Sequence, residues 1–207
     1  SVKLIIVFTL LSGFVNQVFS FKSFSILFFF MISYTIYIGS NQKINNINST
    51  NNIEYVKSIN PDIIITFGIG IIKKNFLQIF KKVKIINLHG GNLYSYRGLD
   101  SHLWAIYHND FKNLVTSLHY VVKRIDAGNL IFSQKIMVSK NTKIFALRAL
   151  NTINCVNLVT KYLNLSKKNK TIKGKKINVL GRYYSSIPDI LIKKCFQNFI
   201  KYKKNFI

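Results

Sequence analysis

The sequence predicts an α/β fold built on a mostly parallel sheet, and three observations lead there. Ile63–Phe67 (IIITF) is a short run of mostly β-branched residues, the pattern of a strand covered on both faces, and Val83–His89 (VKIINLH) reads as a second buried strand. Between them lie a glycine turn and a helix-like stretch, giving the strand, loop, helix, strand rhythm of parallel architectures. Finally, 207 residues at 49% hydrophobic supply one domain with a full core and too little for two large ones.

Taken in order, residues 1–39 are the apolar end, with Leu4–Leu11 and the uncharged run Phe24–Ile38. A membrane helix needs about 20 apolar residues. Lys22 and the Asn16–Gln17 pair interrupt any longer span, so buried helix or strand is expected and no membrane span is favoured. Ser1 is not an initiator methionine, and the front of the fold is expected to be shortened.

Residues 40–53 are Asn-rich and read as a loop. A helix over Ile53–Ile59 and an Asn60-Pro61-Asp62 turn lead into the first buried strand. Gly68-Ile69-Gly70 closes that strand, Ile71–Phe80 is helix-like, and Val83–His89 is the second strand. Gly90–Asp100 (GGNLYSYRGLD) reads as a loop whose three glycines allow unusual backbone angles. Asp100 or Ser101 is placed to cap a helix through His108.

Val115–Val122 and Leu130–Val138 form an expected hairpin around the Asp126-Ala127-Gly128 turn. Asn141 or Thr142 opens a long helix to Leu163, followed by a lysine-rich linker and Arg182-Tyr183-Tyr184. A closing helix runs from Pro188 to Tyr202, with proline in its first turn. The division expected is a core over residues 1–140 and a mainly helical extension over 141–207.

The charge balance is 30 Lys+Arg against 6 Asp+Glu, a formal +24. Such an excess ordinarily points to a nucleic acid or an anionic membrane. Here it is mostly lysine, spread along the chain with abundant Asn, Ile, Phe and Tyr, which reads as a compositional bias more than one selected surface. Two cysteines 40 residues apart, Cys155 and Cys195, make neither a metal pair nor a disulfide framework; a reducing, cytoplasmic setting is expected. Collagen-like, coiled-coil and acidic disordered classes are excluded by composition.

Scarcity narrows the chemistry. The carboxylates are Glu54, Asp62, Asp100, Asp110, Asp126 and Asp189, and the histidines are His89, His102, His108 and His119. His89 ends a buried strand and enters a glycine loop, where open α/β sheets place their ligand crevice. Asn87 lies two residues earlier, so the pleat turns both side chains to one face. Asn, His and Asp brought together can polarise a carbonyl and relay a proton. A polar strand end satisfied by loop amides is the competing reading. His102 and His108 are expected to have no special role, and His119 to be a core or supporting histidine. No histidine pair has metal-ligand spacing, and neither phosphate-cradling glycine motif is present.

Asn60-Pro61-Asp62 into IIITFGIG, then IINLHGGNLYSYRG, LWAIYHND and RIDAGNLIFSQ, together resemble the folate-dependent formyltransferases over residues 60–136. That family includes the methionyl-tRNA, glycinamide ribonucleotide and sugar N-formyltransferases. The resemblance implies a Rossmann-like formyltransferase fold and N10-formyltetrahydrofolate as one-carbon donor. It also implies that Asn87, His89 and Asp126 are the catalytic residues. Gly70, Ile71 and Ile72, together with Val121, Val122, Lys123 and Arg124, are the implied pterin-binding segments. Lys73, Lys74 or Lys123 would suit the folate's anionic tail. The implied acceptor is a small-molecule amine, most plausibly on a nucleotide-linked sugar, with tRNA the lesser alternative and an inactive truncated member a further one. The spacing from His89 to Asp126 is about one residue longer than the family's, which predicts a small bulge before the aspartate. Arg182, Tyr183 and Tyr184 are expected to pack the tail against the core, and the apolar pieces at both ends suit a homodimer interface.

Overall fold

The computed structural model of the protein describes residues 4–8, 46–168 and 170–206. Its main sheet has five strands in the order β1-β2-β3-β5-β6: β1 (Leu4–Phe8), β2 (Ile63–Phe67), β3 (Lys84–His89), β5 (Val115–Tyr120) and β6 (Leu130–Lys135). The pairings β1–β2 and β2–β3 are parallel, whereas β3–β5 and β5–β6 are antiparallel, so β5 alone runs against the rest. A second, two-stranded sheet joins β4 (Tyr96–Gly98) to β7 (Arg182–Tyr184) in parallel. The helices are α1 (Thr50–Ile59), α2 (Lys74–Ile79), α3 (Ser101–Tyr107), α4 (Leu147–Lys167) and α5 (Asp189–Lys203).

Alternation along β2 and β3 sends residues to two covered faces. Ile63, Ile65, Ile86, Leu88 and Leu118 meet Cys155, Val159 and Tyr162 of α4 on one side. Ile64 and Ile85 meet Val56 of α1 and Phe76 of α2 on the other. Each fully buried Ile or Val here contributes roughly 1.5–3 kcal/mol of apolar transfer. A third cluster gathers Ala105 and Ile106 of α3, Cys195 and Phe199 of α5, and Leu114, Leu147 and Ile187.

Several elements differ from expectation, each for a local reason. The first helix starts at Thr50, three residues early, because Asn46, Asn48 and Ser49 form a turn that launches it. The next helix starts only at Lys74. Asn48 accepts from the Lys73 amide (2.7 Å) and donates to the Ile71 carbonyl (2.8 Å), which holds residues 71–73 out of the helix. Asp100 sits at the N-cap position of α3 with a left-handed φ of 46° and makes no capping bond. Its oxygens instead meet Arg148 (3.2 Å) and the Ile187 amide (3.1 Å).

Neither Asn141 nor Thr142 opens α4, which begins at Leu147 after a 3-10 turn at Ile144–Ala146; Thr142 closes a turn on Ser139 instead. Pro188 is the N-cap of α5 with extended ψ, not a residue of its first turn. Two short strands, β4 and β7, fall where a loop and a linker were expected. Of the three glycines in 90–98, only Gly98 has positive φ.

The register irregularity lies not before the aspartate but across the hairpin. Leu118 pairs with Phe132 and His119 with Leu130, so Ile131 on β6 is the extra residue. The apolar run Phe24–Ile38 lies outside the described residues; among those described, no helix is long and apolar enough to cross a membrane.

Candidate active site

Register builds the site. Thr66 of β2 lies opposite Asn87 of β3, which lies opposite His119 of β5, so three polar side chains share one level of the sheet. By strand alternation all stand on the same face as Ile64 and Ile85. Asn87 donates from Nδ2 toward Asp126 Oδ1 (3.3 Å) and toward His119 Nε2 (3.2 Å). Thr66 Oγ1 donates to Asn87 Oδ1 (2.8 Å). His119 Nδ1 faces the Tyr120 carbonyl at 2.8 Å and must donate there, which leaves Nε2 as the acceptor for Asn87 in the neutral ring.

Asp126 is the hub. Oδ1 lies 3.4 Å from His119 Nε2, and Oδ2 lies 3.4 Å from His89 Nδ1. The Gly98 amide donates to Oδ2 at 2.9 Å. A φ of 46° at Asp126 turns its carboxylate back over the sheet, a conformation that Asp tolerates better than most residues. Burial alone would raise this carboxyl's pKa. The electrostatic attraction of the His89 and His119 rings and the hydrogen bond from the Gly98 amide outweigh it and hold the group at about 2. Asp126 is therefore ionised at neutral pH.

His89 is buried and its pKa lies below the usual value, since desolvation exceeds the attraction of Asp126. Its Nε2 donates to the Tyr96 carbonyl (2.8 Å), and Ser101 Oγ lies 3.4 Å away. Nε2 is thus committed to a backbone carbonyl, and Nδ1, the lone-pair nitrogen of the neutral ring, lies 3.4 Å from Asp126 Oδ2.

The tripeptide Tyr96-Arg97-Gly98 binds this cluster residue by residue. Tyr96 accepts from His89, and Gly98 donates to Asp126. Arg97, itself buried, donates to the carbonyl of Ile125 (3.0 Å), next to Asp126, and to that of Gly181 (2.6 Å). β7 in turn holds β4: the Leu99 amide bonds Tyr184 O (2.9 Å), and the Gly98 backbone approaches Tyr184 so closely that a Cβ has no room. Tyr184 stacks on Tyr96 at 5.5 Å and lies 4.9 Å from the Trp104 ring, whose Nε1 donates to Ser185 O (2.8 Å). Tyr184 thus packs the tail against the core, while Arg182 and Tyr183 stay exposed.

Asn87, His89 and Asp126, far apart in sequence, are therefore together. His119 joins them as a direct neighbour of Asp126; its only sequence signal was a histidine inside a strand, and the pairing register that matters was not readable. His102 is elsewhere, its pKa pushed down to about 4 by burial and by Arg148. His108 sits among Trp104, Tyr107 and Tyr184. Burial pushes the Cys195 thiol up to about 11 and Cys155 higher still, so neither is a thiolate nucleophile.

The two segments implied for the pterin approach each other: Ile69 and Ile72 share an apolar cluster with Val121. Ile72 is part of that core, not of the surface. The Ile71 carbonyl is taken by Asn48 and the Val121 amide by Ile85 O (2.9 Å). Gly70, Ile71, Val122, Lys123 and Arg124 remain exposed.

The Asn87, His89 and Asp126 cluster therefore lies at the C-terminal end of the central strand of a mostly parallel α/β sheet. The Formyl transferase family model matches residues 15–149, and the chain belongs to that family. Methionyl-tRNA formyltransferase of Ureaplasma urealyticum is 33% identical over 125 residues, covering 59% of this chain and 39% of its own length. The chain spans well under half the length of such curated relatives. A HypX variant from Aquifex aeolicus superposes with a TM-score of 0.70 at 17% identity, over 92% of this chain and 32% of that one. The formyltransferase PseJ of Anoxybacillus kamchatkensis, solved with UDP-4,6-dideoxy-4-formamido-L-AltNAc and tetrahydrofolate, gives 0.62 at 22% identity over 88% and 85%. At those identities the structures establish the fold alone.

Proposed function

We propose that this chain is an N-formyltransferase that moves the formyl group of N10-formyltetrahydrofolate to a primary amine on a nucleotide-linked sugar. The observation that carries the reading is the buried, ionised Asp126 with Asn87, His89 and His119 gathered within 3.4 Å of its oxygens at one edge of the sheet.

The donor folate supplies an amide-like formyl carbon on a nitrogen that can leave. The amine nitrogen forms the new bond to that carbon, the bond to N10 breaks, and one proton passes from the amine to the departing nitrogen. Asn87 gives up one of its two Nδ2 bonds, to Asp126 or to His119, and donates that hydrogen to the formyl oxygen as negative charge gathers there; a donor of this kind is typically worth about 2.7–4 kcal/mol of barrier. His89 adds a second donor by turning Nε2 off the Tyr96 carbonyl. Asp126, held ionised, accepts the amine proton directly or through His89 and returns it to the leaving nitrogen. Exposed Gly70 and Ile71 on one side, and Val122, Lys123 and Arg124 on the other, flank the pterin, with Ile72 and Val121 supporting them from the core. Lys73, Lys74 and Lys123 suit the folate's carboxylate tail.

The likeness to PseJ along most of both chains supports a sugar acceptor. Methionyl-tRNA is the second reading, favoured by the 33% identity to the Ureaplasma enzyme. Purified protein with N10-formyltetrahydrofolate and a UDP-linked 4-amino-4,6-dideoxy sugar should release tetrahydrofolate. Asn87→Ala and His89→Ala should each abolish the release with the circular dichroism spectrum retained. Formylation of charged initiator tRNA in place of the sugar would move the acceptor assignment, and full activity in both variants would remove the mechanism.

A further inference from the structure

Asn87 can act as a donor to a reacting oxygen only if its carboxamide faces one way, and the side chain alone does not decide that. The amide's inner edge looks at Asp126 Oδ1 and at His119 Nε2, both acceptors when the aspartate is ionised and His119 donates through Nδ1. The NH2 group belongs on that edge, because a carbonyl there would oppose a carboxylate. Oδ1 then points across the sheet to β2, where Thr66 lies in register.

We propose that Thr66 is a positioning residue whose hydroxyl fixes the Asn87 carboxamide with its NH2 group toward the reacting centre. The proposal rests on the formyltransferase reading of Asn87 given above. Thr66 is fully buried, and its Oγ1 is 2.8 Å from Asn87 Oδ1. The same hydroxyl is 3.1 Å from the Ile86 carbonyl, so its single hydrogen has two acceptors within reach, of which Asn87 Oδ1 is the nearer. A β-branched side chain in a strand has a stiff χ1, so the hydroxyl is aimed by the backbone and does not need a further partner. Parallel β2–β3 register therefore does more than bury isoleucines: it delivers a donor to the one oxygen of Asn87 that must not face the site.

Thr66→Val keeps shape and strand propensity while deleting the donor, so the protein should fold. With N10-formyltetrahydrofolate and the UDP-linked amino sugar, kcat should fall about tenfold, the weight of one hydrogen bond, with KM for the folate changed less than about twofold. Thr66→Ser should restore most of the loss. In the 15N-labelled protein, the Asn87 side-chain NH2 resonances, assigned by their disappearance in Asn87→Asp, should shift or broaden in Thr66→Val and return in Thr66→Ser. Thr66→Ala gives the same spectroscopic test should the valine variant be poorly folded. Unchanged Asn87 resonances in Thr66→Val or Thr66→Ala would overturn the proposal whatever the acceptor. Full turnover in Thr66→Val alongside a dead Asn87→Ala would overturn it while leaving the formyltransferase reading intact. An active Asn87→Ala would instead remove the reading on which it rests.

Discussion

The candidate site has two halves that are held by different physics. Thr66, Asn87 and His119 are placed by strand register across β2, β3 and β5, where a backbone ladder fixes every side chain at once. Asp126, with Ile125 before it, is placed by a loop and steadied from outside the main sheet by the Gly98 amide and the Arg97 guanidinium. Those two residues are secured by β7, more than 80 positions further along. The first half needs only the sheet; the second needs the C-terminal segment to be docked. The chain's tail is thus part of how the aspartate is held.

Substitutions in the loop half separate the two modes most sharply. Gly98→Ala should have the largest effect. It forces a side chain into positive φ (91°) against the Tyr184 backbone, at a cost of roughly 2–5 kcal/mol in strain and overpacking. Thermal denaturation should register the loss, and amide exchange in β7 should rise with it. Arg97→Met should follow, at about 2–4 kcal/mol, because the Gly181 and Ile125 carbonyls lose a charged donor. Arg97→Lys should recover only part of this, since a single ammonium cannot span both carbonyls as the planar guanidinium does. If either variant is as stable as the parent, the tail does not hold the loop.

Acid titration tests the hub itself. Asp126 has a depressed pKa, so the folded state gains stability from it above the ordinary carboxylate value and loses it as pH falls from about 4 to about 2, a difference of about 2 kcal/mol. Asp126→Asn, which keeps the left-handed backbone acceptable, should flatten that limb of a urea-denaturation series. His89 is also held below its usual pKa, so the unfolded chain takes up its proton first. Stability should begin to fall below about pH 6.5, and His89→Gln should remove part of that decline. The smallest effect is expected at Tyr120→Phe, about 1 kcal/mol, which deletes the bond from its hydroxyl to the Ile172 carbonyl (2.7 Å) and loosens the lysine-rich segment without touching the register half.

The two halves also differ in how much the sequence disclosed. β2 and β3 were readable because β-branched runs bounded by turns signal buried strands, and the pleat put Asn87 and His89 on one face. His119 was visible as a strand histidine but not as a neighbour of Asn87, because pairing register depends on partners that a single sequence does not name. β4 and β7 are three residues each, too short for periodicity, and their apolar content is no different from a loop's. Asp100 looked like a helix cap because spacing alone suits one, yet Arg148 and the Ile187 amide claim its oxygens instead. Tertiary partners decided both cases, and local propensity carries no information about them.

The central claim is that Asn87, His89 and Asp126 surround the carbon that is transferred. A crystal structure of the protein with a stable N10-formyl folate analogue tests it most directly. The formyl oxygen should lie about 3 Å from Asn87 Nδ2, with the pterin between the Gly70–Ile72 and Val121–Arg124 segments. A folate bound with its formyl group well beyond hydrogen-bond reach of Asn87 and His89 would contradict it.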